Sequence, residues 1–454
     1  MTNNTYFFDD FITKLIICSY KWEENNWETY RYGKNESLDL DSLSNYLKWV
    51  LNNREEIEKF ISFLNDSESI ELVKYIMLFR SLGYKHVKIP INKELMSSKN
   101  ISIANSFITN EVSSDKSFFV TGKLKSFLVP FMNQEIDLDA GIGNVIYSYF
   151  VKQYYFQRNN YYIMPIYGDY VIDAGSCFGD TALGFSVSVG KIGKVFSFEV
   201  VPDHIEICKV NFEKNKDFSE NIELVEYALS DEPYKEINIE LIGPGSRELK
   251  DNYSPFSSIK VKTQSIDNLV KEKNIEKIDF IKMDIEGAEI PALIGASETI
   301  KKFKPKLAIS AYHKIDDFIT ISNFIKSLEP SYKIFVDHYT IHSEETVIYA
   351  TIEDEYLYDE KYKNILDYYD KKDFKNAEYF SRVMYSMFHD DIKINNILYK
   401  ILMELGNFQE STEILSSIIE KGEYNKDNIK DFVTCLREIG ENDLADSYSK
   451  IHLS

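Results

Sequence analysis

Tyr170-Val171-Ile172-Asp173-Ala174-Gly175-Ser176-Cys177-Phe178-Gly179 is the stretch on which the fold turns. An apolar run, an acidic residue and two glycines four positions apart describe a buried strand, a tight turn and the start of a helix. That succession places a small-molecule site at the carboxyl edge of an open α/β sheet. The spacing is D-x-G-x-x-x-G, whereas a dinucleotide site uses G-x-G-x-x-G, whose second glycine lets the backbone approach a pyrophosphate. Cys177 stands in that second place. The turn therefore suits a ligand that has no pyrophosphate.

The residues downstream extend this reading. Lys194-Val195-Phe196-Ser197-Phe198 forms a second short strand that ends at Glu199. A carboxylate at that tip accepts hydrogen bonds from both hydroxyls of a ribose. The interval from Asp173 to Glu199 holds one crossover helix, about 178–189, and a return strand. A ribose without a pyrophosphate points to S-adenosylmethionine. A third strand-to-helix passage, Ile278 to Glu289, brings Asp284 and Glu286 to a strand end beside the same crevice. Capping of the following helix is the alternative duty for either carboxylate.

Together these stretches resemble the FkbM-type S-adenosylmethionine-dependent methyltransferases, which are class I, Rossmann-like enzymes. The resemblance covers roughly 166–351. It rests on Val171-Ile172-Asp173-Ala174-Gly175, Gly179-Asp180-Thr181, Phe198-Glu199 with Pro202 and Asn211, Asp279 to Glu289, Gly295-Ala296 and Pro305-Lys306-Leu307. Asp284-Ile285-Glu286-Gly287-Ala288-Glu289 is its most specific part. The resemblance implies cofactor contacts at Asp173, Gly175, Phe178, Gly179, Asp180, Thr181, Glu199, Ala228 and Asp284. It also implies methylation of an oxygen on a small molecule or sugar unit. Ser310-Ala311-Tyr312-His313 departs from the pattern, because many members carry Glu before that His.

Methylating a hydroxyl requires a base, and His313 is the candidate by residue type, since imidazole titrates near neutrality. Asp284 and Glu286 would orient the acceptor or, with His313, hold a divalent cation through oxygen and imidazole ligands. The expectation taken is a site without metal. His338 and His342 flank the last hairpin, while Tyr312 and Lys314 would shape the acceptor pocket. Asp231 or Ser230 would read the adenine amino group.

The chain has 454 residues, enough for two or three domains, and 44% hydrophobic content, which is globular. Its net charge of −21 opposes nucleic-acid phosphates and a polybasic membrane anchor. Cys18, Cys177, Cys208 and Cys435 show no metal or disulfide spacing and fit a reducing cytoplasm. Tyr6 to Asp10 lacks the basic start of a signal peptide, and no apolar run reaches membrane-spanning length.

The expected fold is α/β: a doubly wound Rossmann-like methyltransferase sheet over 166–351, preceded by a helical N-terminal region over 1–95. Between them, 96–165 is a mixed, aromatic-rich segment, read chiefly as packing under the sheet's edge and alternatively as a lid on a sugar. Strands are expected at 223–229, 237–242 and 261–266, the last two around Gly243-Pro244-Gly245-Ser246. A helical-hairpin tail over 355–454 shows a 34-residue period in the boxes beginning at Asp373, Asn407 and Glu441, which resembles tetratricopeptide arrays. Such a tail either binds a protein partner or packs on the catalytic domain. Two rival functions remain: a nicotinamide-dependent oxidoreductase, disfavoured by Cys177, and a degenerate fold serving as a binding module, disfavoured by the intact Asp173, Gly175 and Glu199.

Overall fold

The computed structural model describes residues 7–24, 26–27, 38–91, 97–111, 124–132, 134–249 and 255–453. Most of the expected aromatic-rich segment is among them, but 96, 112–123 and 133 lie outside the described residues. The centre is a seven-stranded sheet. Its strands in chain order are β1 (Tyr170–Ala174), β2 (Lys194–Phe198), β3 (Ile222–Val225), β4 (Phe280–Met283), β5 (Lys306–Ser310), β6 (Lys333–His338) and β7 (Thr346–Thr351).

In space they run β3-β2-β1-β4-β5-β7-β6. β7 alone is antiparallel to its neighbours, closing the expected hairpin with β6. Every residue of β4, β5 and β7 is buried, so these strands are mainly apolar and do not alternate. Strand order reverses between β1 and β4, and the crevice of such a sheet opens at that reversal.

Both faces are covered. One core joins β1, β4, β5 and β6 to helices Ile266–Glu272, Ser297–Phe303 and Asp317–Leu328, and also to the N-terminal helices Leu40–Asn52, Arg54–Phe63 and Ser67–Leu82. The N-terminal region thus shares its core with the sheet. Asn65 N–H even donates to the Ile334 carbonyl of β6 at 2.8 Å. The opposite core packs helix Asp180–Val189 against the segment 124–164. There Tyr149, Tyr154, Tyr155 and Phe156 are all buried, with Phe131 edge-on to Tyr149 and Tyr155. Packing is what most of this aromatic run does.

Two expected strands end differently. The run 223–229 divides after Val225, because Tyr227 N–H turns back to the Val225 carbonyl at 2.9 Å and takes the chain off the sheet. Ala228–Leu229 then pairs with Thr263 and Gln264 in a separate four-stranded sheet, with Glu236–Glu240 and Arg247–Glu248. The strand expected to reach Ile266 stops at Gln264, since the Ser265 hydroxyl accepts from Asn268 N–H and starts a helix.

The tail is three helical hairpins whose first helices begin at Tyr358, Ile392 and Lys426 and whose second helices begin at Phe374, Phe408 and Asn442. Ala377, Ser411 and Ala445 sit one period apart and are wholly buried. The Ser411 hydroxyl touches the Tyr399 carbonyl of the facing helix, which shows why only a small side chain fits. The first hairpin docks on the sheet domain, with Tyr162 against Phe388 and Tyr167 N–H on the Ser386 hydroxyl. No helix among the described residues is long and apolar enough to cross a membrane.

Inside the sheet a polar pair between β1 and β4 interrupts the apolar layers. Lys282 of β4 lies in register with Asp173 of β1, their charged atoms 3.3 Å apart, with the lysine 2% exposed and the aspartate not at all. The ammonium also donates to the carbonyls of Ala174 and Gly175, at 3.0 Å and 2.6 Å. Asp173 takes the Thr181 hydroxyl on its other oxygen at 2.7 Å. Removing one member of such a pair strands a buried charge at a cost of about 3–5 kcal/mol. Lys282→Met is therefore expected to lower stability by about that amount in urea unfolding, and adding Asp173→Asn to restore part of it. A neutral single variant contradicts this account.

Candidate active site

The chain brings three strand ends to one crevice. After β1, Gly175 adopts φ 80° and a Cβ there would lie 2.0 Å from the Asp284 carbonyl, so the position must be glycine for the two strand ends to approach. The turn closes on the neighbouring strand, with Gly175 and Ser176 N–H groups both donating to the Phe198 carbonyl. At the tip of β2, Glu199 is buried, and its Oε1 accepts from Val200 and Val201 N–H at 2.7 Å and 2.8 Å. Oε2 lies 3.6 Å from His204 Nδ1. One carboxylate oxygen thus fixes the side chain while the group faces a cleft.

That cleft encloses about 810 Å³ with its mouth and is bounded by Gly175, Cys177, Glu199, Tyr227, Ala228, Leu229, Ser230, Asp284, Ile285 and Pro291, among others. Apolar walls with a few convergent polar groups are typical of small-molecule sites. Beyond Asp284 and Glu286 it meets a second, larger cleft of about 1700 Å³. Asn144, Tyr147, Ser148, Gln153, Tyr154, Asp180, Thr181, Tyr312, Glu344 and Glu345 line this one. The Gly243–Ser246 loop borders both.

At the junction Asp284 receives the Tyr154 hydroxyl on Oδ2 at 2.8 Å and the Tyr312 hydroxyl on Oδ1 at 3.1 Å. Glu286 adopts φ 53°, a left-handed conformation unusual outside glycine that is characteristic of functional turns. His313 stands behind the two carboxylates, with Nε2 3.6 Å from Asp284 Oδ1 and 3.4 Å from Glu286 Oε2. Its Nδ1 faces Glu289 Oε1 at 3.1 Å. Glu289, 1% exposed, is itself fixed by the N–H groups of Ile285 and Gly287.

These groups perturb one another. Burial disfavours a charged His313, but the adjacent Glu289 carboxylate, with Asp284 and Glu286, outweighs it and lifts the imidazole to about 10. Burial and the Asp284 charge raise Glu286 to about 7 despite His313. Burial also acts against an ionised Asp284, yet His313, Lys282 and the Tyr154 hydroxyl hold it below its ordinary value. Burial raises Asp180 to about 6, although Ser148 donates to it.

The expected site residues are therefore divided. Gly175, Glu199, Ala228 and Asp284 border the first cleft, and Asp180 and Thr181 the second, which Asp284 and Glu286 also reach. Asp173, Phe178 and Gly179 border neither. Asp173 is consumed by Lys282 and Thr181, Phe178 is core, and Gly179 packs against Phe212. Their part is to hold the turn. His313 also lines neither cleft, and as an imidazolium caged by carboxylates it is a poor base. Asp231 is exposed and takes the Ser230 hydroxyl, while Ser230 is on the cleft wall. Tyr154, Gln153 and Glu345 escaped sequence reading, because each comes from a segment whose approach is set by tertiary packing. Lys282 stood within the quoted Asp279–Glu289 run, and a lysine inside a buried strand was the signal.

His338 and His342 do not join the site. His338 is buried, its Nδ1 bonded to the Thr346 hydroxyl and Nε2 to the His342 carbonyl. Burial drives its pKa down to about 3. The unfolded chain takes up this proton as pH falls below about 6.5, whereas the folded chain resists until near 3. Stability is thus complete above pH 6.5 and lost on acidification, at up to about 1.4 kcal/mol per pH unit. Denaturant midpoints measured from pH 7 to 5 are expected to fall less steeply for His338→Gln than for the parent. Equal slopes contradict the assignment.

Comparison with known proteins adds the family. Residues 173–374 match the methyltransferase FkbM domain, a span running past β7 into helix Tyr358–Asp370. Among solved structures the chain is similar to a methyltransferase FkbM from Methylobacillus flagellatus KT, at 18% identity and a TM-score of 0.42, covering 67% of this chain and 60% of that one. The chain thus spans less than two thirds of that protein. It is also similar to fibrillarin from Aeropyrum pernix, solved with natively bound S-adenosyl-L-methionine, at 13% identity and a TM-score of 0.27, covering 41% of this chain and 69% of that one. A SAM-dependent methyltransferase from Aquifex aeolicus gives 17% identity and a TM-score of 0.26, over 42% and 86% of the two chains. No curated protein matches. The strand, turn and carboxylate pattern at the crevice agrees with this match of residues 173–374 to the methyltransferase FkbM domain.

Proposed function

We propose that this chain transfers a methyl group from S-adenosylmethionine to a hydroxyl oxygen of a small molecule or sugar unit. The observation that carries the reading is the convergence of Gly175, Glu199 and Asp284 on one cleft, which opens at Asp284 into a second.

The residues of the first cleft fit the cofactor. The close approach enforced at Gly175 leaves a bare backbone floor, and the buried Glu199 offers a carboxylate for a ribose diol. Tyr227, Leu229 and Pro291 supply apolar walls for a purine, and Ser230 a polar edge. When bound, S-adenosylmethionine supplies an electrophilic methyl group on a positively charged sulfur. Asp284, ionised and held by two tyrosine hydroxyls, presents negative charge where the clefts meet. Gln153, Tyr154, Tyr312 and Glu345 surround the second cleft with hydrogen-bonding groups suited to a polyhydroxylated acceptor. Positioning is the main contribution to such a transfer. The acceptor's proton passes to the Asp284–Glu286–His313 cluster, in which Glu286 faces the cleft. The helical-hairpin tail, with the helix pairing of tetratricopeptide arrays, packs on this domain through Tyr162 and Tyr167 and leaves its far hairpins available to a protein partner. A reducing cytoplasm is the compartment that suits four free cysteines.

Calorimetric titration with S-adenosylmethionine, S-adenosylhomocysteine and NAD tests the reading. Both sulfur compounds are expected to bind, and Glu199→Ala to weaken each about ten- to a hundredfold through loss of charge-assisted hydrogen bonds. Absence of sulfur-ligand binding, or binding of NAD alone, contradicts it.

A further inference from the structure

The cluster behind the second cleft has the geometry of a metal site, and the methyl-transfer reading gives it no such role. One ligand atom from each of Asp284, Glu286 and His313 lies within 4.8 Å of the others. A cation with bonds of about 2.0–2.2 Å separates its ligand atoms by roughly 3–4 Å. His313 Nε2 meets that spacing toward both carboxylates, at 3.6 Å and 3.4 Å. It nevertheless makes no hydrogen bond to either, although the side chain is only 9% exposed.

The surroundings point the same way. Imidazoles that ligate metals are usually oriented by a carboxylate on the other ring nitrogen. Here Glu289 Oε1 stands 3.1 Å from Nδ1, and two backbone N–H groups fix that carboxylate. Asp284 has its own outer partners in the hydroxyls of Tyr154 and Tyr312. Glu286 reaches the cluster through left-handed backbone at φ 53°. Three of the four side chains in this arrangement are thus held by groups that do not themselves enter the cluster.

We propose that Asp284, Glu286 and His313 bind a divalent first-row metal cation, with Glu289 as the residue that positions the imidazole. Two carboxylate oxygens and one imidazole nitrogen suit manganese, iron or zinc better than calcium or magnesium, which prefer oxygen throughout. The carboxylates border the second cleft, so a cation between them remains reachable by an acceptor hydroxyl and leaves positions open to it. Only this last purpose rests on the methyl-transfer reading; the site itself does not.

Manganese binding to the full chain, stripped with chelator, is the test, read from loss of the free-ion paramagnetic resonance signal. One equivalent is expected to bind. His313→Ala and Glu286→Gln should each weaken binding at least tenfold, and Glu289→Gln about ten- to a hundredfold without contacting the ion. S-adenosylhomocysteine affinity, measured on the same His313→Ala preparation, should stay within about twofold of the parent, which also establishes that the variant is folded. No manganese binding by the parent, or equal binding by His313→Ala, overturns the proposal and leaves a closed ion-pair cluster. Manganese binding without any sulfur-ligand binding would instead remove the methyl-transfer reading and keep the metal site.

Discussion

The ion pair between Lys282 and Asp173 is the constraint on which the crevice depends. A lysine in the middle of a parallel strand is costly to bury, and it is tolerated here because all three of its N–H donors have an oxygen within reach: Asp173, the Ala174 carbonyl and the Gly175 carbonyl. Two of those acceptors are the last residue of β1 and the first of the turn. The pair therefore fixes the glycine turn to β4 as well as joining two strands. Thr181 completes the arrangement by binding the remaining Asp173 oxygen at the start of the next helix. Strand end, turn and helix start become one rigid unit.

That rigidity places Gly175 against the Asp284 carbonyl, and so decides where Asp284 stands. Asp284 is the one carboxylate shared by both clefts that also carries two tyrosine hydroxyls, one from before β1 and one from just after β5. Tyr154 comes from the segment before β1, and with Tyr147 it reaches the second cleft from an aromatic run that is otherwise buried packing. The same segment supplies Ser148 to Asp180 and Gln153 to Glu345. One side of the second cleft, from Ile142 to Tyr154, is thus built from outside the span that matches the FkbM domain.

Much of this was legible in the sequence. The strand-turn-helix at β1, the acidic tip of β2 and the Asp284–Glu286 block were readable because each depends on local chemistry: glycine where a Cβ will not fit, a carboxylate at a strand end. The 34-residue period of the tail was readable for the same reason, since Ala377, Ser411 and Ala445 must be small where helices meet. Asp173, Phe178 and Gly179, expected at the cofactor, line neither cleft. Spacing identifies a motif without saying which of its side chains face outward. His313 fitted the role of base by residue type alone; its three carboxylate neighbours become adjacent only when the β4 and β5 ends lie side by side.

The central claim is that the turn after β1 and the tip of β2 hold an adenosyl ligand, with the reacting end directed toward Asp284 and the second cleft. A crystal structure of the complex with S-adenosylhomocysteine tests it most directly. The account predicts ribose hydroxyls on Glu199, the purine between Tyr227, Leu229 and Pro291, and the sulfur at the junction beside Gly175 and Asp284. A ligand whose ribose lies away from Glu199, or whose sulfur points away from the second cleft, would contradict it.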